Sequence, residues 1–327
     1  MTKICLVLTA PTLKEDLALV ELYRSWIDIV ELRVDCLVPE ERIHFRRFPE
    51  MANIPCILTI RRKSDGGQFV EGEGSRTALL ARGLAFADTE HRKNFSYIDL
   101  EEDMQVPSIE EAARAFGTRI IRSVHNMTAP ETNIKARVQK LRRTNDEIAK
   151  IAFMPRNLSD VTRLFHEAKE CAGEEYILIA MGPFGLPTRV LAPILGSSIT
   201  FASSEENIRM SQNPLGQLDP VTLNEVYHIR SLSGRTKIFG VTGNPLSATS
   251  SPLVHNKGYL KQKIDAVYLP VKAESITEAL EFADELEING LSITFPFKEM
   301  VLAEIDQISS QTGEIGACET EAISGHD

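Results

Sequence analysis

Short runs rich in Val, Ile and Leu recur along the chain, and after most of them apolar positions return at helical spacing. Period-two runs bounded by turn residues predict strands, and the longer stretches with a repeat near 3.6 predict helices. The predicted strands are 3–9 (KICLVLT), 28–34 (DIVELRV), 55–61 (PCILTIR), 95–101 (FSYIDLE), 119–125 (RIIRSVH), 147–153 (EIAKIAF), 175–181 (EYILIAM) and 197–202 (SSITFA). Helix-like segments at 13–26, 74–88, 108–117, 131–144 and 157–171 alternate with them. Eight β-then-α units in about the first 230 residues suit a (β/α)8 TIM barrel. A doubly wound open sheet shares the alternation. No GxGxxG follows the first strand, however, and eight evenly spaced units favour closure. The expected fold class is therefore α/β, with a barrel over 1–230 and a smaller, partial α/β unit over 235–327.

Composition narrows the function classes. A net charge of −10 argues against a nucleic-acid partner, which would need a basic surface. The basic run 137–143 sits at helical spacing with acidic neighbours and reads as a solvated face. Five scattered cysteines without a CxxC or Cys/His cluster indicate neither a disulfide framework nor a zinc site. The opening KICLVLTA is too short for a signal h-region, and no apolar stretch reaches transmembrane length. The expectation is a cytoplasmic protein with a small-molecule substrate and no membrane partner. A homo-oligomer is left open.

In a barrel, chemistry sits at the C-terminal ends of the strands. The ionisable residues inside the apolar runs fall there: Glu31, Arg33, Asp35, Arg61, Glu101, His125 and Lys150, with Met181 ending the seventh run. Lys150 is the sharpest case, flanked by Ala149, Ile151 and Ala152. Burial disfavours an ammonium and yields the neutral amine that attacks a carbonyl. A lysine snorkelling from the barrel mouth, or paired with Glu101, fits the same pattern. His125 lies one strand earlier, and neighbouring strands are about 5 Å apart, so an imidazole there can serve the amine as a proton shuttle.

At these residues the chain resembles the type I 3-dehydroquinate dehydratases, class I aldolase-type barrels. The resemblance covers about residues 1–230 and rests on motifs in order: ELRVD at 31–35, TIRRKSDGG at 59–67, YIDLE at 97–101, SVHN at 123–126, KIA at 150–152, MGPFGLPTR at 181–189 and PLGQ at 214–217. It implies a Schiff base on Lys150, acid–base work by His125 and a carboxylate fork by Arg189. It further implies ring-hydroxyl contacts from Glu31, Arg61 and Gln217, with Arg33, Met181 and Asn213 in the same substrate site, and neither metal nor cofactor. Asp65 stands where the family usually has Glu and is expected to orient His125. Asn213 stands where serine is common.

The second segment is similar to the substrate-binding domain of shikimate dehydrogenase. GNP at 243–245, SSP at 250–252, HN at 255–256, TFPFK at 294–298 and IGAC at 315–318 occur in that family's order. The resemblance implies Thr249 and Ser251 on a substrate carboxylate, Thr294 on the ring and Lys298 as catalytic lysine. It departs at Ala248–Pro252, at Ser292 and at Glu319, whose carboxylate opposes an anionic ligand. The order of the two segments resembles the bifunctional dehydratase–dehydrogenase of plants and some bacteria. NADP would enter only with a dinucleotide-binding domain, for which the sequence to Asp327 shows no glycine-rich turn. Two other readings stay open: a Schiff-base aldolase acting on a sugar phosphate, and a non-catalytic scaffold that binds intermediates of the same pathway.

Overall fold

The computed structural model describes residues 1–85, 88–211, 213–246 and 249–304, with the backbone of 320–322. Eight apolar runs form one parallel sheet: β1 (Lys3–Leu8), β2 (Ile29–Arg33), β3 (Cys56–Thr59), β4 (Tyr97–Glu101), β5 (Arg119–Asn126), β6 (Ile148–Phe153), β7 (Tyr176–Ala180) and β8 (Ile199–Ala202). Neighbours pair in sequence order from β1 to β7, and β8 returns to pair with β1. At the remaining seam the Ser198 N–H donates to the Tyr176 carbonyl at 2.9 Å, so the sheet is a nearly closed barrel. The open-sheet alternative is thereby removed.

β3 stops two residues short of the predicted run. The reason lies in its neighbour: the Arg61 N–H leaves the ladder and donates to Asp35 Oδ1 at 3.1 Å. Helices cover the outside where the helical period predicts them. Thr12 caps Leu13–Tyr23 and Asn157 caps Leu158–Ala168, each side chain accepting a first-turn N–H. The helix expected at 74–88 runs from Glu73 to Leu84 and ends before 86–87, which lie outside the described residues.

A second sheet follows, with β9 (Lys237–Gly243), β10 (Ala266–Lys272) and β11 (Gly290–Ile293) parallel, and β12 (Thr320–Ala322) antiparallel beside β11. Its helix Ile276–Glu285 packs on the barrel helix Leu158–Ala168. Phe165 and Phe282 meet edge to face at 6.0 Å, and Glu285 takes Lys169 at 2.8 Å and His166 at 3.0 Å. The apolar core runs continuously from the barrel's outer layer into this unit.

Candidate active site

Side chains alternate along a strand, so every second residue enters the barrel. Its lower end is an apolar floor that includes Cys5, Ile29, Ile57, Tyr97, Ile121 and Ile148. Two residues further along the strands come Glu31, Thr59, Asp99, Ser123 and Lys150. Above these stand Arg33, Arg61, Glu101 and His125. The floor thus carries a polar layer that water cannot reach from below.

Lys150 is buried, and its Nζ donates to Asp99 Oδ2 at 2.9 Å and to Glu31 Oε1 at 3.5 Å. The same nitrogen lies 4.3 Å from the centroid of the Phe201 ring, within reach of a cation–π contact. Asp99 is shared further. Arg61 approaches its Oδ2 at 2.8 Å and the Ser123 hydroxyl donates to its Oδ1 at 2.5 Å. Burial by itself would raise the Asp99 carboxyl, but Arg61 and then Lys150 outweigh it and hold the group well below the usual carboxylate range. Glu101 binds Arg61 at 2.7 Å and Arg76 at 2.5 Å, so it is not the partner of Lys150. That corrects the pairing left open by the sequence: the amine faces Asp99 and Glu31, and the apolar neighbours supply only the walls.

Asp35 fastens the third strand's turn to the second strand. It accepts from the N–H groups of Arg61 and Gln68, and the Arg33 guanidinium bonds both of its oxygens, at 2.9 and 2.7 Å. The turn can close only because Gly67 lacks a side chain, since a Cβ there would lie 2.1 Å from the Arg61 carbonyl oxygen.

His125 stands opposite Ala152 in the β5–β6 ladder, one inward position above the Ser123–Lys150 pair. Burial first, then the positive charges of Arg61 and Lys150, push its pKa well below 6.5. The ring is therefore neutral at physiological pH and able to accept a proton. Its Nδ1 is buried without a hydrogen-bond partner. Asp65 lines the same cavity, but its Oδ2 accepts from Arg62 at 2.7 Å and from Ser64 at 2.9 Å. The expected orienting bond from Asp65 to His125 is absent, because the shorter carboxylate is captured within its own turn.

Arg189 is buried beneath the opposite rim. Its NH1 donates to the Phe201 carbonyl at 3.1 Å and its NH2 to the Leu215 carbonyl at 2.6 Å, while Nε has no hydrogen-bond partner. Burial lowers its pKa to about 10. A guanidinium buried without a carboxylate is costly, and a ligand anion offsets that cost.

One cavity joins Glu31, Arg33, Arg61, Asp65, His125, Lys150, Met181, Arg189 and Gln217. Asn213 is not among its lining. Its side chain instead accepts the Gln217 N–H at 2.7 Å and donates to the Gln217 carbonyl at 2.8 Å, tying off the turn. Asp99, Ser123 and Phe201 went unnamed in the sequence as site residues. The signal for Asp99 was present, since it occupies the inward position between Tyr97 and Glu101.

Thr249, Ser251, Thr294 and Lys298 lie apart from this cavity, at the C-terminal edge of the second parallel sheet. Thr249 Oγ1 donates to Ser251 Oγ at 3.0 Å, and Thr294 packs over Gly243. Ala248, the IGAC run at 315–318 and Glu319 lie outside the described residues. Among the described residues no cluster of His, Cys, Asp and Glu could hold a metal, and no helix is long and apolar enough to cross a membrane.

A parallel barrel that gathers a buried lysine, a neutral histidine and a buried arginine in one cavity at the C-terminal ends of its strands has the layout of a barrel enzyme. The chain belongs to the type I 3-dehydroquinase family, whose model matches residues 4–233, and the shikimate dehydrogenase substrate binding domain matches 241–320. It is similar to the 3-dehydroquinate dehydratase of Methanothermobacter thermautotrophicus, with 30% identity over 67% of this chain and 98% of the relative. It is also similar to the chloroplastic bifunctional 3-dehydroquinate dehydratase/shikimate dehydrogenase of Arabidopsis thaliana. There 26% identity extends over 90% of this chain but only 48% of the relative, so the chain spans about half of that protein's length. Among solved structures, the 3-dehydroquinate dehydratase of Aquifex aeolicus superposes with a TM-score of 0.55 at 26% identity, covering 69% of this chain and 98% of that one.

Proposed function

We propose that the barrel dehydrates 3-dehydroquinate to 3-dehydroshikimate through an imine on Lys150, a step of the shikimate pathway. The observation that carries this reading is the buried Lys150 amine on β6 beside a neutral His125 on β5, whose Nδ1 has no partner. The Lys150 ammonium first passes a proton to neutral His125; the freed amine adds to the substrate ketone, the proton returns to the carbinol oxygen and water leaves, giving an iminium that acidifies the neighbouring C–H. His125 removes that proton and then protonates the departing hydroxyl as the conjugated double bond forms. A second water adds to the imine carbon and expels the free amine. The balance is one substrate to one enone and one water.

Asp99 and Glu31 direct the amine, Arg189 forks onto the substrate carboxylate, and Glu31, Arg61 and Gln217 face the ring hydroxyls. Arg33, Met181 and Asp65 complete the wall, and Asn213 shapes the turn. The family works without a cofactor, and no step here needs one.

A sugar-phosphate aldolase would need backbone N–H groups in the loops after β7 and β8. The Gln217 N–H is committed to Asn213 Oδ1, and the Gly216 N–H to the Asn213 carbonyl. A carboxylate on Arg189 suits this site better.

For the second unit, Thr249, Ser251, Thr294 and Lys298 support a ligand edge for a shikimate-like acid. Among the described residues the turn after β9 has no glycine-rich dinucleotide pattern, so no step is routed through NADP. On this reading residues 1–230 form the catalytic barrel of a cytoplasmic enzyme and 235–327 its substrate-domain extension. Turnover of 3-dehydroquinate tests the reading, followed by the ultraviolet absorbance of the conjugated enone. A flat trace with the pure chain contradicts it.

A further inference from the structure

The arm that carries Arg189 is short. After β7 comes the turn Gly182–Gly185, then the helix Leu186–Val190, five residues long. A helix of that length does not hold itself in water and takes its position from what packs on it. On one side it packs on β7 and the next short helix of the barrel, with the Thr188 hydroxyl held by the Ala180 N–H and carbonyl, and on another it lies against β10 of the second domain. Phe184, buried in the turn, receives Lys272 of β10 over its ring at 4.9 Å. Pro183 and Leu186 share a crevice with Pro245, Leu246 and Pro270.

The other side of the turn meets the barrel mouth. Gly216 approaches so closely that a Cβ there would lie 2.3 Å from the Gly182 carbonyl oxygen, and its φ of 61° favours glycine in any case. Arg189 then reaches across to the Leu215 carbonyl of the same 213–217 turn. Lys272 thus holds Phe184 in the same short arm that carries Arg189, and that arm meets the 213–217 turn through Gly182 and through Arg189 itself.

We propose that Lys272 and Phe184 form an inter-domain clamp that positions Arg189 and the 213–217 turn, making the second domain part of the barrel's substrate-binding apparatus. This rests on the dehydratase reading above. Lys272 and Phe184 are positioning residues and touch no substrate. Their effect falls on how well the carboxylate fork is aimed, where displacements well under 1 Å matter.

The test uses the full chain with Lys272→Gln, Phe184→Leu and Lys272→Arg, and with Glu285→Gln as a control at the other inter-domain contact. Lys272→Gln and Phe184→Leu should each raise KM for 3-dehydroquinate by roughly tenfold with kcat changed less than about threefold. Their double variant should be little worse than either single one, and Lys272→Arg, which keeps a cation over the ring, should restore KM. Glu285→Gln should leave KM unchanged. Unaltered KM in Lys272→Gln and Phe184→Leu overturns the clamp, as does an equal rise in Glu285→Gln, which would mean general loosening of the domains. A parallel arm treats the unmodified chain with substrate and borohydride. If Lys150 is not trapped there, the dehydratase reading falls and the clamp falls with it. If it is trapped and the variants are silent, only the clamp fails.

Discussion

Lys150 and Asp99 are joined at 2.9 Å in the middle of the barrel, on the same carboxylate oxygen that Arg61 approaches at 2.8 Å. One buried carboxylate therefore holds two cations, and both are residues the proposed chemistry uses. Asp99→Asn removes the charge and keeps the shape, leaving Lys150 to Glu31 and Arg61 to Glu101. Breaking a buried ionic cluster from one side costs roughly 3–5 kcal/mol. The chain should unfold at clearly lower denaturant, and turnover should fall because the amine loses its direction. An unchanged midpoint would show that Asp99 is dispensable to the cluster.

His125→Ala removes the proposed proton shuttle but leaves the proposed nucleophile. The variant should still form the covalent adduct while steady-state turnover drops by roughly 10²–10⁴-fold. Single-turnover trapping beside a steady-state assay separates the two steps. A near-normal rate would assign the proton transfers to another group.

The neutral state of His125 also sets a pH signature. Its folded pKa lies well below 6.5, so between that pKa and 6.5 the unfolded chain binds more protons than the folded one. Stability contributed by this group is thus present above pH 6.5 and lost as pH falls below it, at most about 1.4 kcal/mol per pH unit. Denaturant midpoints at pH 7.5 and 5 should differ more for the unmodified chain than for His125→Gln. The acid limb of kcat/KM should likewise lie below pH 6.5. A limb above that value would contradict a buried neutral imidazole.

Arg189→Lys keeps a cation but loses the planar fork. KM for 3-dehydroquinate should rise by roughly 10–100-fold, with a smaller effect on an ester lacking the carboxylate charge. Equal effects on both substrates would remove Arg189 from carboxylate binding.

The barrel was legible because parallel strands covered on both sides must be apolar, which makes every ionisable residue in them conspicuous. Lys150, His125 and Arg61 stood out in this way. What the sequence withheld was pairing across the barrel. Asp99 belonged in the list beside Glu101, yet nothing local says that it takes Lys150 while Glu101 takes Arg76 from a helix. Asp65 bonds Arg62 and Ser64 rather than His125 for the same reason, since that pairing depends on the closed geometry of its turn. Arg122, fully buried on the outer side of β5 against Glu147 and Glu110, was equally invisible. Such networks join residues far apart in the chain, and strand periodicity carries no information about them.

The most direct measurement is borohydride reduction of the full chain in the presence of 3-dehydroquinate, followed by mass mapping of the modified peptide. A single adduct on Lys150, absent in Lys150→Ala although that variant remains folded, is the predicted result. An adduct on Lys135, Lys140 or Lys298 instead, or none at all, would contradict the assignment of Lys150 as the covalent catalyst.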